Sequence, residues 1–594
     1  MRINLVNENF TEDYVANLLK ARGVENVEDY YHPTEKYLQN PEALKNIRIA
    51  GALYTRIVLN DKPPYSRILI IVDSDVDGFT SAAIIYQYTK QLNCHCQVDY
   101  WLHDGKQHGL SDHIDKLTSE NHNYDLIILP DSSSNDAQYH DILDEINIPC
   151  LVLDHHLTDV KLSDNAVVVN NQLSPNYTNK DLTGAGVVYQ FCRYIDSITG
   201  QNWADNYIDL AALGVVGDMG SMISMENRFI VEKGLSEPHI KNEFFKCLLN
   251  KQAYSITGKQ GASWSEVVNA ANAISVAFYI VPMINALIRV GTMPEKERLF
   301  QAFIDGSVMV PSGKRGAKGT MERVDIESAR ECTNAKNKQN KIKETAVECL
   351  EARIFKYDLL ENKILFLELE EEDEFPPELN GLIATQLANK YKIPTLIGRR
   401  NDENYLKGSI RGLNDSGLKD FKTFLTNSGL FEYVQGHANA AGYSIEGNKL
   451  NSLMKYANEE LANIDFGENV YDVNFIRTST AADLARLVME LGKADSIWGQ
   501  GNSTPMMYVH DIVVDPSNIR IMGSNQDTVK IEANGMPYLK FHAKEFIEEL
   551  KQYTGPFVLN IVGKPNLNEW MGRISPQIFI EDYEIVDFNN EITF

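Results

Sequence analysis

The chain has 594 residues, 43% of them hydrophobic and 23% charged. That is too long for one core and too apolar for a disordered chain, so several globular domains are expected. A formal net charge of −26 argues against indiscriminate adhesion to nucleic acid, whose phosphates are normally met by Lys and Arg, although net charge does not say where charges lie.

The opening segment MRINLVNENFTEDY lacks the apolar core of a signal peptide, and no run of about 18 apolar residues predicts a membrane span. Seven cysteines without paired spacing read as reduced thiols, so a cytoplasmic protein is expected. Residues 1–65 are expected to form a helical extension. From 66 to 305, short apolar runs alternate with helical stretches. RILIIVD (67–73), CQVDYWL (96–102), YDLIILPD (124–131), CLVLDHH (150–156) and AVVVNN (166–171) read as buried strands, and FTSAAIIYQYTKQL (79–92) as a helix between them. This alternation predicts an α/β domain with a doubly wound parallel sheet. Helices follow at about 184–200 and 204–217. Residues 309–325 are glycine-rich and basic and read as an exposed loop, leading into a long polar connector helix over 326–353. A second α/β domain is expected over 354–465. Over 466–594, runs such as MMYVHDIVV, VKIEA and FVLNIVG predict a small β-barrel.

In a parallel sheet, ligands sit beyond the carboxyl ends of the strands. Three of the predicted strands end in chemistry-bearing residues: Asp73-Ser74-Asp75-Val76-Asp77-Gly78, Pro130-Asp131 and Asp154-His155-His156. Crowded carboxylates repel one another and are costly to bury without a cation. A calcium loop needs a Glu six residues after its glycine, and position 84 is Ile. Singly, each acid reads as a turn or capping residue. Asp218 closes a small-residue helix, LAALGVVGDMGSM (210–222). Together with an imidazole, these carboxylates form a thiolate-free donor set suited to Mn²⁺ or a similar divalent ion rather than structural zinc.

These residues resemble the DHH phosphoesterases, and within them the RecJ-type exonucleases. DSDVDG (73–78), the PD of 130–131, DHH (154–156) and GVVGD (214–218) look like four successive motifs of that family. TGAG (183–186), ENR (226–228), PMINALIR (282–289), GSIRG (408–412), GHANAAG (436–442), WGQGNSTP (498–505) and LNEWMGR (567–573) follow in RecJ-like order. The resemblance implies two divalent ions, Mn²⁺ or alternatively Mg²⁺, held by Asp73, Asp75, Asp131, His155 and Asp218, with Asp77, Asp154 and His156 as the surrounding catalytic acid and histidine positions. It implies phosphate binding by Asn285, Arg289, Ser409, Arg411 and His437. It also implies an oligonucleotide-binding barrel on which Lys564, Trp570 and Arg573 would meet single-stranded DNA. The implied activity is 5′-to-3′ hydrolysis of single-stranded DNA to mononucleotides in recombination, repair or replication. A monomer is expected, fed by a single-strand-binding protein or helicase.

The chain departs from the family pattern at Ser74, at Ser132-Ser133-Ser134, at Met283, Leu287 and Ile288, and between Tyr100 and Leu110. In that last segment His103, Lys106 and His108 stand where an arginine is usual. A phosphodiesterase for short oligonucleotides or cyclic dinucleotides is the competing expectation, and a scaffold protein with a silent site is a third.

Overall fold

A computed structural model describes residues 1–586 apart from 106, 120–122, 159–160, 318, 415, 468, 524 and 571, with the side chain of Trp570 also outside the described set. The chain divides into two compact units. One comprises residues 26–339 and 496–503; the other comprises 1–25, 340–495 and 504–594.

The first unit is built on five parallel strands: β1 (Arg67–Val72), β2 (Gln97–Leu102), β3 (Leu126–Pro130), β4 (Cys150–Asp154) and β5 (Ala166–Asn170). Their order is β2-β1-β3-β4-β5. The run RILIIV is buried because helices cover both faces of the sheet, so both alternate side-chain sets must be apolar. On one face Leu69, Ile71, Leu129 and Val152 pack with Ile114 and Leu117 of helix α2 (Ile114–Ser119) and Leu143 of α3 (Ala137–Glu145). Helix α1 (Val76–Leu92) is buried along most of its length and packs on α4 (Gly184–Thr199) and α5 (Ile208–Gly217). From β1 the chain crosses to β2 on one side and then returns to β3 on the other. The switch point therefore opens between the carboxyl ends of β1 and β3, where a ligand cleft is expected.

The remaining expectations for this unit need adjustment. Helix α6 (Met225–Gly234) carries the ENR motif, whose residues turn out to brace the fold. Buried Glu226 accepts from Tyr177, Asn179, Gln190 and the Gln39 backbone, and Arg228 Nε donates to the Tyr30 carbonyl. The WGQGNSTP segment also serves packing: Trp498 is buried, and the Asn502 amide donates to Tyr30 Oη. Residues Ala273–Val290 do reach the length and mean hydropathy of a span (1.8). They fold instead as two helices, Ala273–Tyr279 and α7 (Val281–Val290), with Val276, Ile284 and Leu287 buried in the protein interior. Helix α8 (Met293–Ile304) packs beside α1. The expected loop at 309–325 is a short hairpin of β6 (Met309–Pro311) and β7 (Met321–Arg323). It runs into α9 (Val324–Lys356), a 33-residue helix in which the boundary between the units falls.

The second unit holds a five-stranded sheet of β8 (Leu365–Leu369), β9 (Thr395–Arg400), β10 (Tyr405–Arg411), β11 (Phe431–His437) and β12 (Ala440–Glu446), in the order β11-β12-β10-β9-β8. Only β8 and β9 pair in parallel, joined through helix α10 (Asn380–Tyr391). The C-terminal strands β13 (Phe475–Thr478), β14 (Met507–Val514), β15 (Ile519–Met522), β16 (Thr528–Ala533), β17 (Met536–Lys540), β18 (Phe557–Trp570) and β19 (Arg573–Val586) form one sheet ordered β13-β14-β18-β19-β17-β16-β15. Among the described residues this ladder leaves β13 and β15 as edges, so it is an open sheet rather than a closed barrel. The N-terminal extension contributes a strand as well as helices: Arg2–Leu5 pairs in parallel with Val470–Val473.

Candidate metal centre

The four motif segments converge at the carboxyl ends of β1, β3 and β4. Adjacent strands in a parallel ladder lie about 4.8 Å apart, so residues just past their ends meet without any further device. Asp73, Asp131 and Asp154 are each at most 2% exposed. Three sets of donor atoms lie within 4.8 Å of one another: Asp73, Asp75 and Asp131; Asp77, His155 and Asp218; and Asp131, Asp154, His155 and His156. His155 Nε2 stands 3.1 Å from Asp131 Oδ1 and 3.5 Å from Asp218 Oδ2.

Local backbone chemistry delivers each group. Asp75 caps α1, accepting from the Gly78 amide at 3.1 Å. Asp131 adopts φ 65°, a left-handed conformation that costs a non-glycine residue free energy and recurs at functional sites. Gly184 leaves room for it, since a Cβ there would lie 2.5 Å from Asp131 Cβ. Asp154 accepts the backbone amides of His155 (2.7 Å), His156 (3.2 Å) and Ser134 (2.9 Å), and His156 Nδ1 at 2.8 Å. It therefore orients His156 directly and reaches His155 through that residue's backbone. Asp77 accepts from Thr183 Oγ1 (3.1 Å) and from the Gly184 (2.6 Å) and Ala185 (2.9 Å) amides. Both its oxygens thus clamp the positive N-terminus of α4, which makes it a brace as well as a member of the cluster.

The electrostatics are those of a site built for cations. Burial, then repulsion from Asp75, pushes the Asp77 carboxyl up to about 6, while burial and the Asp77 and Asp75 charges push Asp218 up to about 8. Asp131 is raised well above the usual carboxylate range by burial and the surrounding aspartates. Burial and the neighbouring His156 pull His155 down to about 4, keeping it neutral and able to donate a lone pair. His156 behaves oppositely: burial opposes its charge, but the Asp154 hydrogen bond and charge raise it to about 9. Among the described residues, Asp73 Oδ1, Asp131 Oδ1 and His155 Nε2 are buried with no hydrogen-bond partner. Unpaired polar atoms of this kind are expensive, and divalent cations would satisfy all three at once. The residues therefore fit divalent metal binding, with oxygen and imidazole donors and no thiolate.

Of the expected phosphate ligands, Arg289 and Asn285 lie one turn apart on α7. Arg289 feels the Asp75 charge, burial lowers its guanidinium pKa, and Asn285 Oδ1 is buried without a partner. Ser409, Arg411 and His437 belong to the second unit. There, Ala440 pairs with Arg411 on one side and His437 on the other, so the two basic residues share one row across β10, β12 and β11. Gly381 admits the Arg411 guanidinium, which a Cβ would contact. Gly436 has φ 134°, the glycine-favouring region, which answers to the strand geometry as much as to any ligand. On the C-terminal sheet Lys564 pairs with Glu581 at 2.8 Å, Arg573 is exposed at the start of β19, and the Trp570 side chain lies outside the described residues.

Residues 67–215 match the DHH family, N-terminal domain, and residues 480–582 match the RecJ OB domain. The chain is 34% identical, over 99% of its length and 98% of the relative's, to a Bacillus subtilis (strain 168) protein named as an SPbeta prophage-derived single-strand DNA-specific exonuclease, YorK. The chain belongs to the RecJ-type exonuclease family of the DHH superfamily. The single-stranded-DNA-specific exonuclease RecJ of Bacillus subtilis is 22% identical over 97% of this chain and 68% of its own. Among solved structures, RecJ of Thermus thermophilus in complex with Mn²⁺ shares the fold with a TM-score of 0.71 at 18% identity, covering 98% of this chain and 79% of that one. Sequence reasoning singled out TGAG (183–186) and His108 but not what they do: the Thr183–Ala185 segment clamps Asp77, and His108 stands beside Asp73.

Proposed function

We propose that this RecJ-type protein is a divalent-metal-dependent exonuclease that hydrolyses single-stranded DNA stepwise from the 5′ end, releasing mononucleotides. The observation that carries this reading is the set of buried, unpartnered donor atoms on Asp73, Asp131 and His155, gathered at the switch point of a DHH-type sheet. Asp73, Asp75, Asp131, His155 and Asp218 would hold two ions, Mn²⁺ in preference to Mg²⁺. When bound, such ions supply Lewis-acid polarisation of the phosphate and acidification of water.

The protein's own groups do the rest. His156, half-exposed beside the cluster and cationic at neutral pH through Asp154, stabilises negative charge developing on the phosphate. Arg289 orients a phosphate oxygen near Asp75. We assign Ser409, Arg411 and His437 to the 5′-terminal phosphate, because a guanidinium fork matches phosphate geometry. The RecJ OB domain over 480–582 supports strands longer than dinucleotides as substrate, with Lys564, Trp570 and Arg573 as its contacts. Such an enzyme would act on single strands exposed in recombination, repair or replication in a bacterial cytoplasm, supplied by a helicase or single-strand-binding protein.

The test is digestion of end-labelled 5′-phosphorylated single strands with Mn²⁺, beside duplex, RNA and dinucleotide. Mononucleotides released from the 5′ end are expected. Cleavage of dinucleotides without attack on longer strands would refute the assignment. Asp75→Ala and His155→Ala should abolish turnover while circular dichroism stays unchanged.

A further inference from the structure

The segment between β2 and α2 brings one more side chain to the centre, in a place where no motif points to it. His108 sets Nδ1 2.6 Å from Asp73 Oδ2. An ionised carboxylate has no proton to give, so Nδ1 carries the hydrogen and donates. The other carboxylate oxygen of Asp73, Oδ1, is buried and unpartnered, and Asp73 shares a donor group with Asp75 and Asp131. The two oxygens thus differ: Oδ2 is bonded to the imidazole, while Oδ1 is left buried without a hydrogen bond on a residue of the cation-competent cluster.

The segment is anchored on both sides of His108. Buried Lys296 of α8 donates to the carbonyls of His103 and Asp104. Beyond His108, the Leu110 amide donates to Asp136 Oδ2 at 3.0 Å, and that oxygen also takes Ser133 Oγ at 2.8 Å. Gly109 stands between them at φ 69°, where a Cβ would come 2.8 Å from Ser133 Oγ. A residue with a side chain would be both strained and obstructed there. His103, 3% exposed, packs its ring on His113 at 4.5 Å and fixes the strand end from which the segment leaves. The position of His108 is therefore built into the fold, although its side chain is half-exposed.

We propose that His108 is a positioning residue of the metal centre: its Nδ1–H holds Asp73 Oδ2 so that Oδ1 is presented to a divalent ion. This rests on the metal reading given above. Outer hydrogen bonds to ligating carboxylates commonly set metal affinity by about 10- to 100-fold.

The experiment is calorimetric titration of Mn²⁺ into the full-length, chelator-treated protein as wild type, His108→Ala and His108→Asn. The Asn amide nitrogen occupies nearly the place of Nδ1 and retains the donor. Affinity about 10- to 100-fold weaker is expected for His108→Ala, with most of it restored in His108→Asn. In turnover assays, the Mn²⁺ concentration for half-maximal rate should rise in His108→Ala, and excess Mn²⁺ should recover the rate. Equal Mn²⁺ affinity in wild type and His108→Ala overturns the proposal. So does a His108→Asn protein as weak as His108→Ala, since the Nδ1 donor would then not be the operative group. Wild type that binds no Mn²⁺ would instead overturn the metal reading itself. Melting temperature in chelator reports folding; if His108→Ala does not fold, His108→Phe, whose ring fills a similar space and has no N–H, replaces it as the variant without the donor.

Discussion

Gly184 offers the sharpest test of how the centre is held, because it touches the site without being part of it. Replacing it with Ala would place a Cβ 2.5 Å from Asp131 Cβ and 2.6 Å from Asp131 Cγ, with Oδ1 also in contact. Ordinary contact begins near 3.4 Å, so Asp131 or the start of α4 must yield by about 0.9 Å. Neither moves easily. Asp131 already sits at φ 65° at the end of a buried strand, and the Gly184 amide is bonded to Asp77 at 2.6 Å. Overpacking of this kind costs about 1–3 kcal/mol. A displacement near 1 Å at a catalytic centre is worth on the order of 100-fold in rate. Gly184→Ala should therefore fold, melt a few degrees lower, bind Mn²⁺ more weakly and lose about two orders of magnitude in kcat/KM on single-stranded DNA. Gly555→Ala, where an added Cβ meets nothing within 4 Å, is the matched control. Wild-type Mn²⁺ affinity and kcat/KM in Gly184→Ala would refute the argument that Asp131 is fixed by close packing against α4.

Mn²⁺ at about 100 times its Kd should stabilise the protein by about 2.7 kcal/mol. Asp131→Asn should erase that gain while melting higher than wild type in chelator, because one repelling charge is gone from the cluster; thermal scans with and without Mn²⁺ decide this. Buried His103 is pulled down to about 3 by burial and by His113, and burial also lowers His140. Both rings stay neutral in the fold but take a proton near pH 6.5 once unfolded. The His103 contribution is complete above pH 6.5 and declines as pH falls toward about 3, by up to about 1.4 kcal/mol per pH unit, and the His140 contribution declines in the same direction. Urea unfolding at pH 7.5, 6 and 5 should show a shallower decline in His103→Phe; parallel curves would contradict it. Arg411→Ala should slow digestion of 5′-phosphorylated strands about 10-fold or more while Mn²⁺ affinity holds; an equal loss on 5′-hydroxyl strands would remove it from the terminal-phosphate role.

Much of the parallel-sheet unit was legible because its signals are local. RILIIV, LIILP and CLVLD are apolar on both faces, which only a strand covered by two helix layers tolerates, and their observed bounds match the expected ones to within a few residues. The β6–β7 hairpin and the strand at Arg2–Leu5 were not legible, because three- and four-residue strands are fixed by their partners rather than by their own pattern. The ENR and WGQGNSTP motifs were visible as patterns, but their work as hydrogen-bond braces emerges only when Tyr30, Gln39 and Tyr177 are folded around them. Ala273–Val290 carried enough hydropathy to suit a span, and only the packing of Val276, Ile284 and Leu287 shows where that apolar surface goes.

By itself the sequence indicated which carboxylates and histidine close neighbouring elements and could together hold a cation, since strand spacing brings strand-end groups within reach. Tertiary structure decided what each donor does. Asp77 is clamped by the amides of α4, Asp154 aims His156, and His108 reaches Asp73 from a segment anchored by Lys296 and Asp136. The physical reason is that a hydrogen bond depends on tenths of an ångström and on direction. Those are set largely by residues distant in the chain, and no local pattern records them.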